Sequence, residues 1–146
     1  MDKIVAVESG RALVSRNVLG ADLEAVWVER CGSSRRIIFG TRGASTRDAF
    51  DSEWRLSCVA IERDAETSLV GVLAGEGLES EPKPLEAAVG RAVSRGMQLS
   101  DLLDLMDRAG IAYAYACMDE RGMACRAEAS GAVPRVLAKD GGLASC

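Results

Sequence analysis

Histidine is missing from this chain, and aromatic residues supply only 4% of it. The first absence excludes chemistry. Histidine is the side chain that titrates near neutrality without being perturbed. Ser-His-Asp and Cys-His catalysis, histidine-ligated zinc, facial-triad iron and H-x-E deaminase sites therefore all fall away. Proton transfer would need a shifted carboxylate, lysine, cysteine or tyrosine. The second absence concerns packing, since a core with few rings must be drawn from Val, Leu, Ile, Ala and Met.

Long apolar runs are also missing. No stretch approaches the roughly 20 residues of a membrane span. The N-terminal run Ile4-Val5-Ala6-Val7 lies between Asp2 and Glu8, and a secretory h-region needs about 7–15 apolar residues. These features make a cytoplasmic protein the expectation. Phosphate-loop motifs fail too. Gly71, Gly75 and Gly77 precede Pro84, but neither Gly-Lys-Ser/Thr nor G-x-G-x-x-G occurs, and Glu76 and Glu79 would repel a phosphate. No cofactor is expected.

What is present suits one globular domain spanning residues 1–146, with a loose tail from about residue 131. Hydrophobic residues make up 48% and charged residues 27%, the balance of a folded chain. At this length folding buries roughly 68–70% of the unfolded surface, so the core needs no metal or disulfide. The five cysteines, Cys31, Cys58, Cys117, Cys125 and Cys146, are odd in number and irregular in spacing, unlike a disulfide framework. Cys58 and Cys117 lie in apolar runs and read as small buried hydrophobes, whereas Cys146 is expected to be exposed.

Charge is segregated along the chain. Between positions 30 and 47 there are five arginines, Arg30, Arg35, Arg36, Arg42 and Arg47, and no acid. From Asp48 to Lys83 nine carboxylates face three cations, although the net charge is only −4. A cationic face concentrates anionic ligands or acidic protein surfaces. Gly32-Ser33-Ser34 before Arg35 and Arg36 could cup an anion, but neighbours on a strand point to opposite faces. Arg35 and Arg36 should therefore not serve one site, and one of them should pair with a carboxylate from residues 48–81. Cys31 begs comparison with the phosphatase motif in which five residues separate Cys and Arg, but position 37 is Ile.

Periodicity divides the chain. Ile4–Val7 and Ala12–Val14 around Ser9-Gly10 suggest a first hairpin, and Glu24–Glu29 with Arg36–Phe39 a second. Leu13, Leu19 and Leu23 leave a helix open for residues 10–26. Gly43–Thr46 reads as a polar connection. Trp54–Glu62 and Ser68–Gly75 around Asp64–Thr67 suggest a third hairpin. Pro82 and Pro84 then end the strands, and Leu85, Ala88, Val89, Ala92 and Val93 form one helical stripe ending near Gly96. Ser100 offers a cap for a second helix with Leu102, Leu103 and Met106 inward and Gly110 as its stop. The fold expectation is α+β: a mainly antiparallel sheet of hairpins, two consecutive amphipathic helices (about 84–95 and 101–109), then a further hairpin around Asp119–Gly122 running into Met123–Ala127. One short strand is expected at Arg135–Leu137.

Two acidic patterns are weaker. Glu62, Asp64 and Glu66 would share a strand face, as a divalent-metal site wants, but Asp64 and Glu66 fall in the expected turn; no metal is expected. Asp101, Asp104 and Asp107 read as a solvated helix face. The pI near 5.0 argues against nucleic acid. The functional expectation is a non-enzymatic interaction or regulatory domain, homodimeric or binding a protein partner through the Arg30–Arg47 segment. The alternative is a small enzyme or sensor for a phosphorylated or carboxylated molecule there, with Cys31 as nucleophile.

Overall fold

The computed structural model describes residues 11–74, 84–119 and 124–127. Its frame is a six-stranded antiparallel sheet in sequence order, β1 (Arg11–Leu19), β2 (Asp22–Cys31), β3 (Ser34–Arg42), β4 (Trp54–Glu62), β5 (Ala114–Asp119) and β6 (Ala124–Ala127). Four helices interrupt it: α1 (Ala44–Phe50) after β3, then α2 (Glu66–Ala74), α3 (Leu85–Ser94) and α4 (Leu99–Ala109) between β4 and β5. The α+β expectation holds, as do the two consecutive amphipathic helices and the pairing of β5 with β6 after them.

Three local readings are corrected. Residues 11–19 form one strand that turns at Gly20-Ala21 onto β2, which settles the helix alternative for this region; the rest of the Ile4–Val14 hairpin lies outside the described residues. The 43–46 connection opens α1. The third hairpin does not form: after β4 a 3₁₀ turn, Arg63–Ala65, leads into α2, and β4 pairs with β5 instead. Ser68–Ala74 is apolar enough for strand or helix, and such short runs cannot be told apart by periodicity. What decides is the neighbourhood. β3 and β5 flank β4 on both sides, so no edge remains for a returning strand. The 131–137 tail and Cys146 lie outside the described residues.

Strand alternation sends side chains to two sheet faces. Val26, Val28, Ile37, Val59 and Ile61 pack with Leu69 of α2, Leu85 and Val89 of α3, and Leu102 and Met106 of α4. The opposite face holds a second buried group, including Leu23, Trp27, Ile38, Leu56 and Cys58. The α3 stripe buries Leu85, Ala88 and Val89 as its spacing predicts, and Gly96 follows with φ 102. α4 starts at Leu99, two residues before the expected 101, with Gln98 and not Ser100 as its cap: Asp101 Oδ2 accepts from the Gln98 backbone N–H at 2.9 Å, and Gly110 in the left-handed region ends the helix.

Burial of two titratable groups makes the fold sensitive to alkali. Burial pushes the Cys58 thiol up to about 12 from 9.0, with Arg36 partly offsetting it. Burial, then the Asp107 carboxylate accepting from Tyr113 Oη at 3.0 Å, raises Tyr113 to about 12 from 10.0. Both stay neutral in the folded protein while the unfolded chain ionises, so their contribution is complete below pH 9.0 and is lost as pH rises through 12. Urea midpoints should be flat from pH 7 to 9 and fall above that. Tyr113→Phe should shallow the fall, and an unchanged slope would contradict the assignment.

Cys117 is buried as expected but is not a free thiol. It is disulfide-bonded, and the residue opposite it on β6 is Cys125. The odd total of five cysteines hid this bond. Disulfides persist mainly in oxidising compartments, which weighs against the cytoplasmic expectation. Among the described residues no helix is long and apolar enough to cross a membrane.

Candidate functional site

The five arginines of the 30–47 segment do not converge. Arg35 and Arg42 stand at opposite ends of β3, seven residues and so about 23 Å apart. Arg30 lies opposite Arg35 at the far end. Arg35 is 3% exposed, and its Nη1 and Nη2 donate to Glu66 Oε2 and Glu86 Oε2, both at 2.6 Å. It thus bolts β3 to α2 and α3. Arg36, on the other face, pairs with Glu29 Oε2, and Glu29 Oε1 accepts from Arg11 Nε at 2.7 Å. The alternation argument holds, and the carboxylate from residues 48–81 is Glu66. Arg35→Ala would strand two carboxylates that are 23% and 33% exposed. Their partial solvation limits the loss to about 2 kcal/mol, less than for a fully buried pair. Hydrogen exchange should show α2 and α3 amides loosening before the central strands; equal protection would mean the clamp carries little.

Arg42 and Arg47 do meet, together with Arg16 of β1, which the sequence reading missed. They line a concavity of about 550 Å³ at the β1–β2 turn, floored by Val18, Leu23 and Gly43. The hairpin register brings Arg16 there: Val18 pairs with Leu23 and Leu23 with Arg42, so all stand on one face at the sheet end. Only the pairing partner of residues 11–19 could have revealed it. Two acids in the wall are engaged. Glu53 Oε2 accepts from Arg47 Nε at 2.9 Å. Asp22 accepts from the Ser45 backbone N–H at 2.9 Å and its hydroxyl at 2.8 Å, and these bonds hold its carboxyl below the ordinary range. The Arg42 side chain makes no hydrogen bond or ion pair among the described residues. Beside it Val18 and Leu19 are 52% and 58% exposed on the terminal strand of the sheet.

The metal reading fails locally. Glu62 ends a strand, Asp64 is in the 3₁₀ turn and Glu66 opens α2 against Arg35, and no group of metal-competent side chains occurs among the described residues. Asp101, Asp104 and Asp107 are exposed on α4 as expected, with Asp107 also holding Tyr113. The side chain of Cys31 lies outside the described residues.

No family model, curated protein or solved structure matches this chain.

Proposed function

We propose that this protein is a non-enzymatic interaction domain that binds an acidic protein surface, a second copy of itself foremost, through the sheet end around Arg16, Arg42 and Arg47. The observation that supports this reading is Arg42, without an ion pair among the described residues, in a concavity lined by the exposed Val18, with the exposed Leu19 next to it in sequence. Arginine beside solvent-facing aliphatics is the composition of protein interfaces, where the apolar groups supply burial and the guanidinium supplies planar hydrogen bonding. A second copy would supply the opposite charge through exposed carboxylates that follow the arginine segment, such as Asp48, Glu62 and Asp64. An isologous dimer would then use both signs twice.

Light scattering at low and high salt tests the reading, since exposed charge contacts weaken as the Debye length shortens. The double variant Arg42→Glu, Val18→Ser should weaken association about tenfold or more, as loss of an interface anchor does. A strict monomer at every salt concentration, with no acidic partner, would overturn it. Arg42 also suits the second reading, a phosphorylated or carboxylated small molecule in the same concavity. Native mass spectrometry separates the two: a bound mass of a few hundred daltons lost on Arg42→Glu favours the small anion, and a clean dimer favours the interface.

A further inference from the structure

On the helix-covered side of the sheet, at the same end as the arginine concavity, lies a second cleft of about 440 Å³. Its walls are mostly apolar: Val26 and Phe39 come from the sheet, and Val93, Met97 and Leu99 from α3, α4 and the link between them. One cross-strand row enters it, with Glu24 on β2, Thr41 on β3 and Arg55 on β4. Arg55 is already compensated. Asp119 stands opposite it on β5, its guanidinium lies 4.0 Å over the Phe50 ring, and its Nη2 is 3.3 Å from Cys117 Sγ. The start of α4 carries the partial positive charge of a helix N-terminus, and it is answered too, because Asp101 Oδ2 accepts from the Gln98 backbone N–H at 2.9 Å. Glu24 differs. It is exposed and makes no ion pair or hydrogen bond among the described residues, nor does the hydroxyl of Thr41 beside it.

We infer that this cleft binds a primary amine with an apolar body, the ammonium on Glu24 and Thr41 and the body between Phe39 and Met97. The volume falls in the usual range for small-ligand pockets, which are mainly apolar with a few placed polar groups. Of the two charged side chains that line the cleft, Glu24 is the one without a counter-charge among the described residues. An ammonium has donors and no acceptor. Here it meets a carboxylate and a hydroxyl on paired strands about 5 Å apart, near enough for one head group to reach both. A ligand carboxylate would instead face Glu24, with Arg55 already occupied. A bare metal ion would find one carboxylate beside an apolar wall, short of the oxygen shell that hard cations need. This inference is separate from the interface reading: it uses the other sheet face and none of Arg16, Arg42 or Arg47.

Calorimetric titration with phenylbutylamine tests it, beside phenylbutyrate, phenylbutanol and the trimethylated amine. Saturable one-to-one binding of the amine is expected, with the carboxylate and the alcohol weaker by about tenfold or more, the scale of one charge-assisted contact. The trimethylated amine keeps the charge without an N–H and should fall between the amine and the alcohol. Glu24→Gln, a change at an exposed position, should weaken the amine about tenfold and leave the alcohol as it was. Met97→Trp, which fills the cleft from a connecting segment and not from the sheet, should abolish amine binding with the circular dichroism spectrum kept. Arg42→Glu should change nothing. The inference is overturned by no saturable binding at millimolar amine, by phenylbutyrate binding as tightly as the amine, or by an amine affinity that Glu24→Gln leaves unchanged.

Discussion

Replacing Glu29 with Gln should destabilise the protein by about 3–5 kcal/mol, the cost of breaking a buried ion pair by removing one partner. Glu29 sits between Arg11 and Arg36 on one sheet face, with side chains 13%, 6% and 2% exposed in the order Arg11, Glu29, Arg36. Glutamine keeps the shape and one carbonyl acceptor, but two guanidinium groups then share a buried region without the Glu29 charge between them. For a domain of this size that loss lowers the melting midpoint by about 10–15 °C, a large part of the 5–15 kcal/mol typical of natural domains. The companion variant separates charge from packing. Arg11→Met, Glu29→Leu, Arg36→Met together removes all three charges, and buried triads replaced by apolar residues are often neutral or stabilising. Thermal melts of both proteins give the answer. A Glu29→Gln loss below about 1 kcal/mol would mean that water reaches the arginines and the triad is a surface pair in energetic terms.

That triad also explains what was legible in the sequence and what was not. Strand alternation separates Arg35 from Arg36 without any structure, and it assigns one of them a carboxylate partner. It cannot say which carboxylate, because Glu29, Glu66 and Glu86 are brought close by strand order and helix packing rather than by spacing. α3 and α4 were readable from their stripes and their closing glycines, because a helix states its buried face every third or fourth residue. α2 was not. Its sequence, Glu66-Thr67-Ser68-Leu69-Val70-Gly71-Val72-Leu73-Ala74, is rich in the β-branched and small residues of strands. A place in the sheet was closed to it by β5, which arrives about fifty residues after β4. Arg16 and Glu24 stayed invisible for the same reason: each becomes part of a surface only through a cross-strand register.

The charge segregation that dominates the sequence therefore has two destinations. Arg35 and Arg36 are spent internally, tying β3 to the helices and to its neighbouring strand. Arg42 and Arg47 stand at one sheet end with Arg16, Arg47 there paired with Glu53, and Arg30 is exposed at the other end. The acids divide likewise, Glu66 and Glu53 answering arginines of the same chain. A count of charges along the chain therefore overstates how many of these arginines share one surface, and strand alternation with register brings Arg16, Arg42 and Arg47 to one concavity.

Helix α1 supplies side chains to both sheet faces, Arg47 to one and Phe50 to the other, and substituting the glycine that precedes it should cost about as much as the triad. Gly43 joins β3 to α1 with φ 127 and ψ −163. A Cβ there would lie 2.3 Å from the Ala21 carbonyl oxygen and 2.9 Å from Asp22 Cα, both backbone atoms of the β1–β2 turn. Unlike a flexible side chain, that turn cannot yield without moving the Asp22 carboxylate that holds Ser45 and so the start of α1. Backbone strain and overpacking each cost about 1–3 kcal/mol, so Gly43→Ala should lose about 2–5 kcal/mol in urea unfolding. The consequence should extend beyond stability, because α1 carries Arg47 to the arginine concavity and Phe50 onto Arg55 on the helix-covered face. Amide chemical shifts should therefore change around Arg16 and Arg42 on one sheet face and around Arg55 on the other, while Val28, Ile37 and Val59 in the sheet centre keep theirs. A Gly43→Ala protein of unchanged stability, or one perturbed on a single face, would show that α1 is not the element that couples the two surfaces.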